Sequence, residues 1–180
     1  MAWRNGGGET RELAVWPQGT GLDAFEWRVS VATIARNGPF SRFPGCTRTA
    51  VLTDGAGFRL VDGRLQVELA ERFAQATFAG APAWQCELME GPVEVLNVMV
   101  RSRFRAEVDV ARGVPHDVPA ALHRVAHAAC GTSAIALGTE TVVLHEGDAC
   151  EVHGSSFDLR VQPQPGACVL VASMKTAAAR

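Results

Sequence analysis

No apolar run in this chain of 180 residues approaches the roughly 20 that cross a bilayer, and the opening MAWRNGGGETRE lacks the apolar stretch of a secretory signal. Both absences lead to the expectation of a cytoplasmic protein with no membrane partner. An excess of charge is missing too. Against 19 Asp and Glu stand 17 Lys and Arg, a formal charge of −2, too balanced for a general polyanion binder, so nucleic acid is not expected as a partner. Cys46, Cys86, Cys130, Cys150 and Cys168 are scattered and form no C-x-x-C, which indicates neither a disulfide framework nor a zinc ribbon. Free, mostly buried thiols are expected. Cys46 alone follows a turn, in FPGC, and becomes a nucleophile only if a neighbouring cation stabilises its thiolate. What the chain does have is 47% hydrophobic content, enough to build the core of one domain or two small joined ones and incompatible with disorder.

Turn signals cut that content into short pieces: NGGG at 5 to 8, NGP at 37 to 39, PG at 44 to 45, DGAG at 54 to 57 and DG at 62 to 63. FEWRVSVA (25 to 32) sets Phe25, Trp27, Val29 and Val31 on one face and Glu26, Arg28 and Ser30 on the other, the alternation of a half-buried strand. TRTAVLT (47 to 53), FRLV (58 to 61), VEVLNVMV (93 to 100), FRAEVDV (104 to 110), TVVLHE (141 to 146), FDLRVQ (157 to 162) and ACVLVAS (167 to 173) behave alike. The pattern predicts an all-β antiparallel sandwich or barrel. PAALHRVAHAACG (119 to 131) is the exception: a leading Pro, an Ala-rich middle and a terminal Gly favour a short helix, with a strand as the alternative if the segment fills a sheet slot. TAVLTDGAGFRL and TVVLHEGDACEV share a strand, turn, strand plan and suggest a duplicated β-unit, with a joint in the breaker-rich stretch from 102 to 120.

Three blocks carry a more specific signal: WRNGGGETREL (3 to 13), FEWRVSVATIARNGPFSRFPGCTR (25 to 48) and GPVEVLNVMVR (91 to 101). In residue type, order and spacing they resemble the HutD/Ves family. The resemblance implies a bicupin, two small antiparallel jelly-roll barrels in one chain, here 1 to 105 with the N-terminal segment and 106 to 180. It also implies a bacterial regulatory or small-molecule-binding protein linked to histidine utilisation, not an established enzyme. Metal-dependent cupins place H-x-H, then E, then G in their first motif; that frame falls here on Ser41-x-Phe43, Arg48 and Gly55. Hydroxyl, phenyl and guanidinium groups do not ligate a transition metal, so no metal and no other cofactor is expected.

If the cupin geometry holds, Ser41, Phe43 and Arg48 point into the first barrel. Asn97, Met99 and Arg101 alternate along VEVLNVMVR and form the opposite wall. Arg48 and Arg101 would then converge on one carboxylate, since Arg grips that group with parallel hydrogen bonds, while Phe and Met pack against a carbon chain. Arg28 and Ser30 are further pocket candidates from the polar face of their strand. The ligand expected is a small anionic metabolite such as formylglutamate, urocanate or formate, and no catalytic residue is assigned. Thr47 and Val95 stand where the family usually has acids, which is expected to make the cavity more positive.

Two other functions compete: a metal-independent isomerase or hydrolase using Glu12, Glu26 or Glu94 as acid/base, and a structural protein with a vestigial cavity. The remaining motifs are weaker. Asn5 to Gly8, flanked by Arg4, Arg11 and Glu12, reads as a tight turn, and the family resemblance implies that the segment is a wall or lid of the first barrel. His123 and His127 have the spacing of one helix face but no third ligand, and His145 and His153 read as surface residues. HGSSFD (153 to 158) puts His, Ser and Asp together in sequence only. A homodimer is expected from the way sandwich proteins cover sheet edges and faces.

Overall fold

Short alternating segments separated by glycine turns can satisfy their backbone groups only by pairing with one another, and the computed structural model is all-β. It describes residues 1, 3, 6–154 and 156–177. Two units divide the chain, Met1–Arg103 and Phe104–Arg180. The first contains β1 (Gly8–Trp16), β2 (Trp27–Ile34), β3 (Gly38–Pro39), β4 (Cys46–Asp54), β5 (Phe58–Asp62), β6 (Leu65–Leu69), β7 (Gln75–Ala79), β8 (Gln85–Leu88) and β9 (Val93–Arg101). The second contains β10 (Phe104–Arg112), β11 (His116–Val118), β12 (His123–Cys130), β13 (Ser133–Leu137), β14 (Glu140–Leu144), β15 (Ala149–His153), β16 (Leu159–Pro163) and β17 (Cys168–Thr176).

Each unit is a pair of antiparallel sheets. In the first unit the strand orders are β1-β2-β9-β4-β7 and β3-β8-β5-β6; in the second they are β10-β17-β12-β15 and β11-β16-β13-β14. Apart from β1, every strand of the first unit has its counterpart eight strands later, in the same order, which is a duplicated jelly roll. The core of the first unit joins Ile34, Leu52 and Val95 of one sheet to Phe58, Leu60 and Leu69 of the other. That of the second joins Ala126, Val169 and Val171 to Ile135, Leu159 and Val161. Between β4 and β5, Gly55 has φ +94°, and a Cβ there would lie 2.6 Å from the Pro92 carbonyl oxygen. Only glycine fits that turn.

Three sequence expectations change. The 119 to 131 segment forms no helix: its centre is β12, held between β17 and β15. Hydrogen bonding on both sides and the small alanines Ala126 and Ala128 in the core override the helical preference. The duplication is real but in another register, because TAVLTDGAGFRL builds β4 and β5, whose counterparts are β12 and β13, whereas TVVLHEGDACEV builds β14 and β15. A strand, glycine turn, strand plan recurs at many places in a jelly roll and does not specify which. Finally, β2 is buried on both faces, Arg28 and Ser30 included, so its polar face looks onto an interior cavity instead of solvent.

Candidate functional site

Cross-strand register builds the cavity of the first unit. Arg28 of β2, Met99 of β9 and Arg48 of β4 stand in one row across the sheet, and Ser30, Asn97 and Ala50 in the next. Side chains in register on neighbouring strands share a face, so this row pair forms a floor. Above it lie Trp3, Thr10, Phe40, Ser41 and Phe43, enclosing about 100 Å³. At the roughly 30 Å³ that each water takes up in the liquid, that is room for about three.

Arg48 is the centre of the site. It is 3% exposed, and its guanidinium lies 4.2 Å from the Phe40 ring centre, 5.5 Å from that of Phe43 and 5.6 Å from that of Phe78. Nε and Nη2 donate to Asn97 Oδ1 at 3.3 and 2.8 Å, and Nη1 donates to the Ser41 carbonyl oxygen at 2.9 Å. No carboxylate forms an ion pair with it among the described residues. Burial, opposed by Cys46 and reinforced by Arg28, pulls its pKa down to about 9. A cation so enclosed and so poorly compensated favours an anion beside it.

The second cation of the cavity is Arg28, not Arg101. Arg28 Nε donates to Glu12 Oε2 at 2.6 Å and Nη1 to Ser30 Oγ at 3.1 Å. Arg101 does not line the cavity: its Nε donates to the Phe25 carbonyl oxygen at 2.7 Å and its Nη2 to that of Asp23 at 3.0 Å. Its place at the end of β9 lets the chain before β2 capture it. Ser41, Phe43, Asn97, Met99, Arg28 and Ser30 do line the cavity with Arg48. Sequence reasoning missed Trp3, Thr10 and Phe40. Phe40 sits inside the FPG block beside Ser41, and that adjacency was its only signal.

The acidic residues fall elsewhere. Among the described residues the lining includes no Asp or Glu; Glu12 reaches it through Arg28, and Glu94 accepts a hydrogen bond from Thr53 Oγ1. Of the two family acid positions, Val95 belongs to the inward core, but Thr47 is exposed and leaves the cavity charge unaffected. Cys46 is no activated nucleophile, because burial raises its pKa despite Arg101 and Arg48 nearby. Cupins that carry a metal hold it with imidazole and carboxylate; among the described residues this lining offers Arg28 and Arg48 and neither donor, and does not fit one.

In the second unit His123 and His127 sit four residues apart on β12, with Nδ1 of His123 2.8 Å from Nδ1 of His153 and that of His127 3.0 Å from the Asp148 carbonyl oxygen. Among the described residues no three His, Cys, Asp or Glu are grouped to hold a metal. Asp158 accepts the Ala120 amide at 3.0 Å, while His153 turns to His123 and Glu151. Arg4, Asn5 and Ser155 lie outside the described residues. Among the described residues no helix is long and apolar enough to cross a membrane.

A family model, HutD, matches residues 1–169. The chain belongs to the HutD family. It is 41% identical over 111 residues to protein Ves of Citrobacter koseri, covering 61% of this chain and 57% of that one. With a 21.2 kDa protein from the hutC 3′ region of Pseudomonas putida it shares 38% over 110 residues, covering 60% and 57%. The matched segment thus spans less than two thirds of these relatives' length. The structure of HutD from Pseudomonas fluorescens SBW25, in a formate condition, is similar over 98% of this chain and 93% of that one, with a TM-score of 0.80 and 30% identity. A cupin 2 conserved barrel protein from Leptotrichia buccalis, 7% identical with a TM-score of 0.57, extends the likeness to the cupin fold alone. This HutD-family chain is therefore a bicupin.

Proposed function

We propose that the first barrel binds a small carboxylate and that the protein acts, in the cytoplasm, as a regulatory protein of histidine utilisation. The observation that carries this reading is the buried Arg48 guanidinium, framed by three aromatic rings, fixed by Asn97 and the Ser41 carbonyl, and paired with no carboxylate. An incoming carboxylate supplies the missing charge. Met99 and Phe43 offer apolar walls for a short carbon chain, and Arg28 and Ser30 offer donors to a second polar group. The histidine link draws on the hutC neighbourhood of the Pseudomonas putida relative and on the HutD name; acids of that breakdown, formate, urocanate and formylglutamate, are the candidates. Formate underfills the cavity, and formylglutamate must reach into its mouth.

Calorimetric titration of these three acids and glutamate tests the reading. Binding to the wild type should weaken by roughly 1.5 to 3 kcal/mol in Arg48→Ala, the scale of a charge-assisted contact. Arg48→Lys should recover part, since it keeps the charge and loses the planar fork. No heat with any acid, or equal binding by wild type and Arg48→Ala, rejects it.

A further inference from the structure

Register relates the two units residue by residue. Facing β9, β4 bulges between Leu52 and Asp54; facing β17, β12 bulges between Ala128 and Cys130. Thr47 pairs with Ala79 in the first unit, and at the same step His123 pairs with His153 in the second. Counting from these marks, Arg124 occupies the position of Arg48, and Ser173 that of its cross-strand partner Met99.

Arg124 faces inward, because Ala126 and Ala128, which alternate with it, belong to the core. It is 0% exposed. Its Nη1 donates to the carbonyl oxygens of Val118 and Pro119 at 3.3 and 3.4 Å, and its Nη2 to that of Phe157 at 2.9 Å. Those carbonyls hold the guanidinium without neutralising it. Glu107, next in the row beyond Ser173, pairs with Lys175; Asp158, which accepts the Ala120 amide, lends Arg124 a partly offsetting charge but forms no ion pair with it, and burial outweighs that charge. Arg124 Nε and Ser173 Oγ are both buried without a hydrogen-bond partner. Nε–H can only donate, and the serine hydroxyl has a proton to give. The hydroxyl can accept as well as donate, but it accepts nothing from Nε as the two stand, so an acceptor that reaches both protons satisfies the pair, and a negative one offsets the cation as well.

We propose that the second barrel holds one small monovalent anion, chloride or formate-sized, between Arg124 Nε and Ser173 Oγ. It is an enclosed duplicate of the Arg48 site, closed by the backbone at 118 to 119 and at Phe157. The assignment is independent of the ligand of the first barrel.

The test follows thermal unfolding of the full chain in chloride, formate or the bulky anion gluconate, at constant ionic strength. Arg48→Met, present in every variant, silences the first site. With that single change, chloride or formate should still raise the midpoint saturably over gluconate; which of the two acts identifies the occupant. Adding Arg124→Met should abolish the rise, and adding Ser173→Ala should raise the half-saturating concentration at least threefold. If the Arg124→Met protein does not fold, the Ser173→Ala protein decides alone. A midpoint indifferent to the anion in Arg48→Met, as a water molecule between the donors would give, overturns the proposal. So does a rise that survives Arg124→Met or a half-saturation that Ser173→Ala leaves unchanged.

Discussion

Asn97 presents one side-chain oxygen to two nitrogens of Arg48, at 3.3 and 2.8 Å. A guanidinium only donates, so the contact fixes which way the amide points and leaves Nδ2 to donate elsewhere. Asn97→Asp would put a negative charge at that oxygen and supply internally what a ligand otherwise brings. Carboxylate binding should fall at least tenfold, more than in Asn97→Ala, with the Asp variant no less stable than wild type. Titration of both variants beside their unfolding midpoints checks this ordering.

Arg48 is expensive to keep. Burying a cation without a carboxylate opposes folding, and an apolar side chain of similar length removes that burden. Arg48→Met should therefore gain about 1 kcal/mol of stability while losing carboxylate binding, read from denaturant unfolding and titration of the same preparation. A large loss of stability would instead mark Arg48 as structural.

Glu12 offsets the charge of Arg28 at the cavity. Its carboxylate occupies Arg28 Nε at 2.6 Å; Glu12→Gln frees that cation without removing the side chain. Affinity for the dianion formylglutamate should rise more than affinity for formate, and the difference should shrink as salt is added. Competition titrations at two ionic strengths measure it.

Anion binding needs Arg48 charged, and burial holds its pKa near about 9. Affinity should be flat from pH 6 to 8 and decline above about 9, by up to tenfold per pH unit. Proton uptake on binding at pH 9.5, measured in buffers of different ionisation heat, is the accompanying signature.

Acid should act on the second barrel. Burial, and then the charge of neighbouring His153, lower the pKa of His123 below its usual 6.5. The folded state thus binds fewer protons than the unfolded state. The corresponding stability is present above pH 6.5 and is lost as pH falls through the lowered value. Midpoints measured between pH 5 and 8 should fall on acidification, and less steeply in His123→Asn.

Local pattern exposed much of this site. Alternation along β2 and β9 aligned Arg28 with Ser30 and Asn97 with Met99, and the FPG block isolated Arg48, because strand side chains obey a period of two wherever both neighbours are paired. The same alternation misled at Arg101. There the strand ends, and two carbonyls from the chain ahead of β2 take the guanidinium through contacts 76 and 78 residues away in sequence. Phe78 escaped for a related reason: it meets Arg48 across the β4–β7 ladder, and no nearby residue announces that pairing. In PAALHRVAHAACG the alanines favoured a helix on their own terms. What makes the segment a strand is the slot between β15 and β17, two strands that lie up to about fifty residues downstream.

The floor of the first cavity rides on β2, β9 and β4, each paired on both sides, so its groups stand in place before anything arrives. If the barrel binds a carboxylate as proposed, this floor needs no rearrangement to receive it. Occupancy would then track the surrounding pool of acid with little lag. The protein would work as a level gauge that reads up and down, and any memory of past supply would have to be kept by another component of the cell.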